Sequence, residues 1–103
     1  MLDKKELQSL RDVSGEFDPR LPQLFDALSD TGRFKILKLL MEYEDLCVTD
    51  IANVLEISVP AASQQLKILE LSGLITKERD GQMICYSIRE GDSLVKSVLR
   101  LVV

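Results

Sequence analysis

The hydrophobic period of this chain changes from helical to alternating at Gly73, and that change limits what the chain can fold into. Before Gly73 the apolar residues recur at helical spacing. Ile51, Ala52, Val54 and Leu55 follow Thr49, which is expected to cap a short helix, and Glu56-Ile57 makes a tight turn. Ser58 is the next cap, Pro60 is tolerated in the first helical turn, and Ala62, Leu66 and Leu69 form an inward stripe. After Gly73 the pattern alternates. Residues 74–79 and 82–88 are strand-like, and Asp80-Gly81 between them predicts a type I′ hairpin turn. Such a turn sets Arg79 opposite Gln82, Lys77 opposite Ile84 and Ile75 opposite Tyr86, with Ile75, Ile84, Tyr86 and Ile88 on one apolar face. Two helices joined by a short turn and followed at once by a hairpin describe a winged helix-turn-helix.

The remaining segments are helical. Leu7 and Leu10 lie three apart in residues 2–13, and Ser14-Gly15 breaks that helix. Pro19 and Pro22 mark the start of a second helix carrying Leu21, Leu24, Phe25 and Leu28. Asp30 caps a third, with Phe34, Leu37, Leu40 and Met41 on one face. A short apolar piece, Leu46-Cys47-Val48, follows. A last helix begins near Ser93, carries Leu94, Val95, Val98, Leu99, Leu101 and Val102, and runs out at Val103. The expected fold is mainly α with a small β-hairpin (α+β): one winged-helix domain over residues 1–103, with five to six helices and a two-stranded wing. Leu7, Leu10, Leu94, Val95, Val98, Leu99 and Val102 are surplus apolar residues on the terminal helices, where a dimer interface is expected. The alternative is that these helices close the monomer's own core.

Composition narrows the function. A chain of 103 residues with 46% hydrophobic and 29% charged residues has the profile of a soluble globular protein. No apolar run approaches the ~20 residues that span a bilayer, and MLDKKELQSL has no signal-peptide h-region, so no membrane partner is expected and the default location is cytoplasmic. Histidine is absent, which removes the commonest metal ligand and the usual general base. With no Gly-rich phosphate loop and no nucleophile beside a base, an enzyme is not expected. The net charge of −4 runs against non-specific affinity for nucleic acid, but a local basic patch matters more than the total.

In a winged helix-turn-helix the second helix of the pair enters the major groove, so its outward N-terminal residues must be small or hydrogen-bonding. Ser58, Val59, Pro60, Ser63, Gln64 and Gln65 hold those positions, with Lys67 a turn further on. Gln64 has the donor and acceptor that pair with adenine, and Val59 and Pro60 suit a thymine methyl. The helix N-terminus offers free N–H groups to a phosphate. Lys77, Arg79 and Gln82 on the hairpin are expected to reach the backbone or the minor groove of double-stranded DNA.

The run from Ile57 to Leu69, ISVPAASQQLKIL, resembles the recognition helix of the ArsR/SmtB family, whose usual form is roughly L-S-Q-P-A-V-S-R/Q-H-L-K-x-L. Ser72-Gly73-Leu74-Ile75, the Asp80-Gly81 wing, Tyr86-Ser87-Ile88 and Phe25-Asp26-Ala27-Leu28-Ser29-Asp30 ahead of Arg33-Phe34-Lys35-Ile36-Leu37 also match. Gln65 stands where the family usually has His, and Val59 where it often has Gln; both reduce polar reach toward DNA. The resemblance implies a homodimeric repressor of a near-palindromic operator, dimerising through its first and last helices. The alternatives are a winged-helix protein-interaction module without an operator, and a repressor that responds to oxidants through cysteine.

The resemblance also frames the signal. One family site is a Cys-x-Cys motif in a setting like E-L-C-V-C-D, where this chain has Asp45-Leu46-Cys47-Val48-Thr49-Asp50, a single thiol. The family's other site uses His and carboxylates on the C-terminal helix, which here has Asp92 before it and no His. Soft-metal sites need three or four suitable ligands, so no metal and no other cofactor is expected, and the sequence names no inducer. Cys47 and Cys85 are too few for a disulfide framework. Cys47 reads as a small buried hydrophobe, and Cys85 shares the hairpin face of Thr76, Met83 and Ser87. Oxidant-sensing relatives use cysteine pairs that join helices, a pattern these two match poorly, so a redox role for them ranks behind packing.

Overall fold

The computed structural model describes residues 1–102; Val103, the end of the expected apolar stripe, lies outside the described residues. The expected order is present, with one addition. α1 (Lys4–Ser14), α2 (Arg20–Leu28) and α3 (Thr31–Glu42) precede a two-residue strand, β1 (Leu46–Cys47). Then come α4 (Val48–Leu55), α5 (Val59–Ser72), the hairpin β2 (Ile75–Asp80) and β3 (Met83–Ile88), and α6 (Ser93–Leu99). The short apolar piece around Cys47 is therefore a third strand. It pairs antiparallel with β3 and gives the sheet order β1-β3-β2.

Side-chain caps set the helix starts. The Asp30 carboxylate accepts the Arg33 N–H at 3.0 Å to begin α3, and Asp92 accepts the Leu94 and Val95 N–H groups at 2.9 and 3.3 Å to begin α6. Hydrogen bonds from these backbone amides hold both carboxyls below the usual carboxylate range. Thr49 does not cap α4. Cys47 does, because Asp50, three residues on, reaches back to accept the Cys47 N–H at 3.2 Å, and Thr49 falls inside the first turn.

α5 lies at the centre of the core. Ala62, Leu66 and Leu69 are fully buried, in one cluster with Leu24, Ile36, Leu37 and Ile51 from the three preceding helices. Fully burying each such leucine or isoleucine is worth about 1.5–3 kcal/mol, so α5 is held by its inner face. On α3, Ile36 takes the core position expected of Phe34, which stays partly exposed. The expectation for α6 also divides. Val95, Val98 and Val102 are buried in the chain's own core, which removes them from the free apolar surface, while Leu94 and Leu99 are half-buried. Val95 and Val98 lie on the inner side of the last helix and Val102 just beyond its end, where they cover the end of a small core. α1 behaves differently: none of its residues is buried, and the molecule measures 61 × 26 × 24 Å.

The hairpin register is shifted from the expected one. Asp80 pairs with Met83, Arg79 with Ile84, Lys77 with Tyr86 and Ile75 with Ile88. The central turn residues are therefore Gly81 and Gln82, and only Gly81 has positive φ, at +65°. A type I′ turn needs positive φ at both central positions. Placing the glycine first gives the sign pattern of a type II′ turn and returns Asp80 to the strand. Each partner moves by two residues, so the pleat keeps Ile75, Ile84, Tyr86 and Ile88 on one face.

Candidate nucleic-acid interface

The outer face of α5 is built by its own cap and stripe. Ser58 Oγ accepts the Ala61 N–H at 3.2 Å, which leaves the hydroxyl proton free to donate. Val59, Pro60, Ser63, Gln64 and Lys67 are exposed, opposite the buried stripe of Ala62, Leu66 and Leu69. The expected cluster of free N–H groups at the helix start is smaller than the sequence suggests. Pro60 has none, Ala61 donates to Ser58, and Ala62 donates to the Ser58 carbonyl, so Ser58 and Val59 keep the free amides there among the described residues.

Gln65 is not on this outer face. It is half-buried, and its amide is committed at both ends: Oε1 accepts from Arg33 Nη1 at 3.2 Å, and Nε2 donates to Asp30 Oδ2 at 3.1 Å. Arg33 also donates through Nε to the Ala27 carbonyl at 2.7 Å and through Nη2 to the Asp26 carbonyl at 3.3 Å. Gln65 thus ties α5 to the corner between α2 and α3, which restrains its amide where, among the described residues, that of Gln64 is free. Gly32 permits the arrangement. A Cβ there would lie 3.1 Å from Asp30 Oδ2 and 3.3 Å from Gln65 Nε2. Sequence reading missed this network because its members are separated by more than thirty residues, with no local signal. It also missed Lys35, which is exposed and lines a groove with Gly32, Ile57 and Gln64 beside the outer face.

On the wing, Arg79 and Gln82 are exposed, and Arg79 makes no ion pair among the described residues. Lys77 sits further from the tip, with Nζ 3.7 Å from Glu70 Oε1 of α5. The pair is largely exposed, so it restrains Lys77 only weakly. Tyr86, opposite Lys77, has its phenol pushed up by burial and by Glu70.

Residues 30–77, which hold the capped α3, the helix pair and the start of the wing, match the sequence profile of the arsR family of bacterial regulatory proteins. The transcriptional repressor SdpR of Bacillus subtilis is 43% identical over 65 residues, 63% of this chain and 71% of SdpR. The chain belongs to the arsR family. The cadmium resistance transcriptional regulatory protein CadC of Listeria innocua is 37% identical over 71 residues, 69% of this chain but only 60% of CadC. Among solved structures, the homodimeric winged helix-turn-helix DNA-binding domain Mb0332 of Mycobacterium bovis superposes with a TM-score of 0.70 at 27% identity. That match covers 99% of this chain and 83% of Mb0332.

Against the arsR pattern, Gln65 replaces the usual His and carries a packing contact. Val59 replaces the frequent Gln and is 41% exposed beside Pro60, an apolar pair at the leading edge of α5. Thr49, in place of the second motif cysteine, lies in the first turn of α4. Among the described residues no group of three or more His, Cys, Asp or Glu side chains is placed to hold a metal ion. Cys47 is buried as expected, but Cys85 lies directly across from it on β3, with Sγ atoms 3.7 Å apart. Spacing along the chain could not show this, because only the β1–β3 pairing brings the two together.

Proposed function

We propose that this chain is a homodimeric transcriptional repressor that acts by binding double-stranded DNA in the cytoplasm and not by catalysis. The observation that carries the reading is the divided surface of α5. Its inner stripe is fixed in the core, while Ser58, Val59, Pro60, Ser63, Gln64 and Lys67 stand together on the outside. Gln64 reads a base edge, Val59 and Pro60 meet a thymine methyl, and Lys67 and Arg79 meet phosphates. The kinship with SdpR and CadC, and the homodimeric state of Mb0332, support the same reading.

The unburied α1 supplies the means of association. Leu7, Leu10 and Val13 are exposed at one helical spacing and find no core in their own chain. Paired with Leu94 and Leu99 of α6, they form a two-fold interface that sets two copies of α5 about 34 Å apart, one helical turn of DNA. With a net charge of −4 and few cations near α5, the electrostatic contribution is small, so specificity rests on base contacts. Selection of bound fragments from a random DNA pool tests the reading. A near-palindrome with half-sites about 10 base pairs apart is expected. Recovery of no enriched sequence would refute operator binding and leave the protein-interaction alternative.

A further inference from the structure

Cys47 and Cys85 are partners in the two-residue β1–β3 pairing, the short joint between the wing and the start of the helix-turn-helix. Their Sγ atoms are 3.7 Å apart. Residues directly opposed on antiparallel strands have Cα atoms about 4.5–5.5 Å apart, inside the range a disulfide spans. Bonding brings the sulfurs to ~2.05 Å, an approach of under about 2 Å. The two thiols differ in access, since Cys47 is 8% exposed and Cys85 is half-buried.

We propose that Cys47 and Cys85 form a reversible disulfide by exchange with a low-molecular-weight disulfide, and that the bond lowers affinity for DNA. The effect on DNA rests on the repressor reading; the bond does not. Cys85, the accessible thiol, gives up its proton and attacks one sulfur of the small disulfide. This makes a mixed disulfide and expels a thiolate that takes up that proton. Cys47 then attacks the Cys85 sulfur, its proton going to the second departing thiolate. Two protein thiols are oxidised, and one small disulfide is reduced to two thiols. Access sets the order. Burial pushes the Cys47 thiol up to about 11, which disfavours it as the first attacker, and its 3.7 Å approach to Cys85 places it for the second, intramolecular step.

The bond acts where it forms. Cys47 is the cap of α4, and β3 is the strand on which the wing is hung. Drawing the sulfurs together shifts the root of the wing against the first turn of α4. α5 and the wing must meet one duplex together, so a small shift at their joint spoils simultaneous contact.

The test equilibrates the full chain in glutathione buffers from reducing to oxidising, blocks free thiols, maps peptides, and measures affinity for the operator recovered by selection. A monomeric species is expected that has lost two hydrogens, joins the peptides holding Cys47 and Cys85, and reverts with dithiothreitol. Its operator affinity should be at least about 5-fold weaker. Cys47→Ser and Cys85→Ser should each keep the affinity of the reduced chain in every buffer. Thiols that stay open to alkylation in the most oxidising buffer, a bond between chains, or a mixed disulfide that halts at Cys85 would each overturn the assignment. Equal operator affinity in both forms would overturn its role as a switch. If the reduced chain binds no operator, the repressor reading fails, and the mapped bond alone decides the chemistry of the pair.

Discussion

Leu10→Ala tests whether the free apolar face of α1 holds the dimer. Leu7, Leu10 and Val13 remain 38%, 53% and 64% exposed within their own chain. Full burial of a leucine is worth about 1.5–3 kcal/mol, and Leu10 has roughly half its surface left to bury, so truncation removes about 1 kcal/mol per protomer. A two-fold interface repeats the loss, giving about 2 kcal/mol, or roughly 30-fold in the dimer dissociation constant. Alanine is the best helix former, so α1 stays helical. Since α1 buries nothing, monomer stability should stay within about 0.5 kcal/mol of the parent. Sedimentation velocity over a concentration series reads the association, and urea unfolding at low concentration reads the monomer. An unchanged dissociation constant would refute docking through this face. A marked loss of monomer stability would refute the premise that α1 stands free of its own core.

Gln64→Ala should weaken operator binding by about 1–3 kcal/mol and relax preference at one base pair, seen by repeating the selection; equal loss on random DNA would contradict base reading. Arg79→Ala should weaken binding to all sequences alike and lower the salt slope by about one unit, with a smaller change for Lys77→Ala because Glu70 already engages that ammonium. Leu66→Ala, at a fully buried site on α5, should cost about 2–5 kcal/mol in urea unfolding. The depressed carboxyls of Asp30 and Asp92 contribute stability that is present above the unfolded carboxylate pKa and lost as pH falls through their lower folded values. Urea midpoints should therefore fall as the pH drops below the ordinary aspartate value of 3.8, and less steeply in Asp92→Asn; parallel profiles would count against the cap.

The sequence by itself determined the elements and most of their ends. The change of period at Gly73, the caps at Asp30 and Ser58, and the stripe of Ala62, Leu66 and Leu69 are local signals, each written within one or two helical turns. They were enough for the winged helix-turn-helix and for the outward set on α5. What they could not carry is any contact between residues far apart in the chain. Gln65 looks like a groove residue because its helical position is nearly outward. Only the approach of α3 engages both ends of its amide. Val95, Val98 and Val102 look like an interface until the core closes over them, whereas Leu7 and Leu10, of equal apolarity, find nothing to cover them. The hairpin turned on one backbone angle, because the positive φ of Gly81 fits the first central position of the turn and pushes Asp80 back into the strand. Cys47 and Cys85, thirty-eight positions apart, meet only because a strand of two residues pairs with the wing. Hydrophobic period and capping act over a few residues and can be read along the chain. Burial, amide pairing and thiol proximity depend on which surfaces meet, and that was decided by the fold.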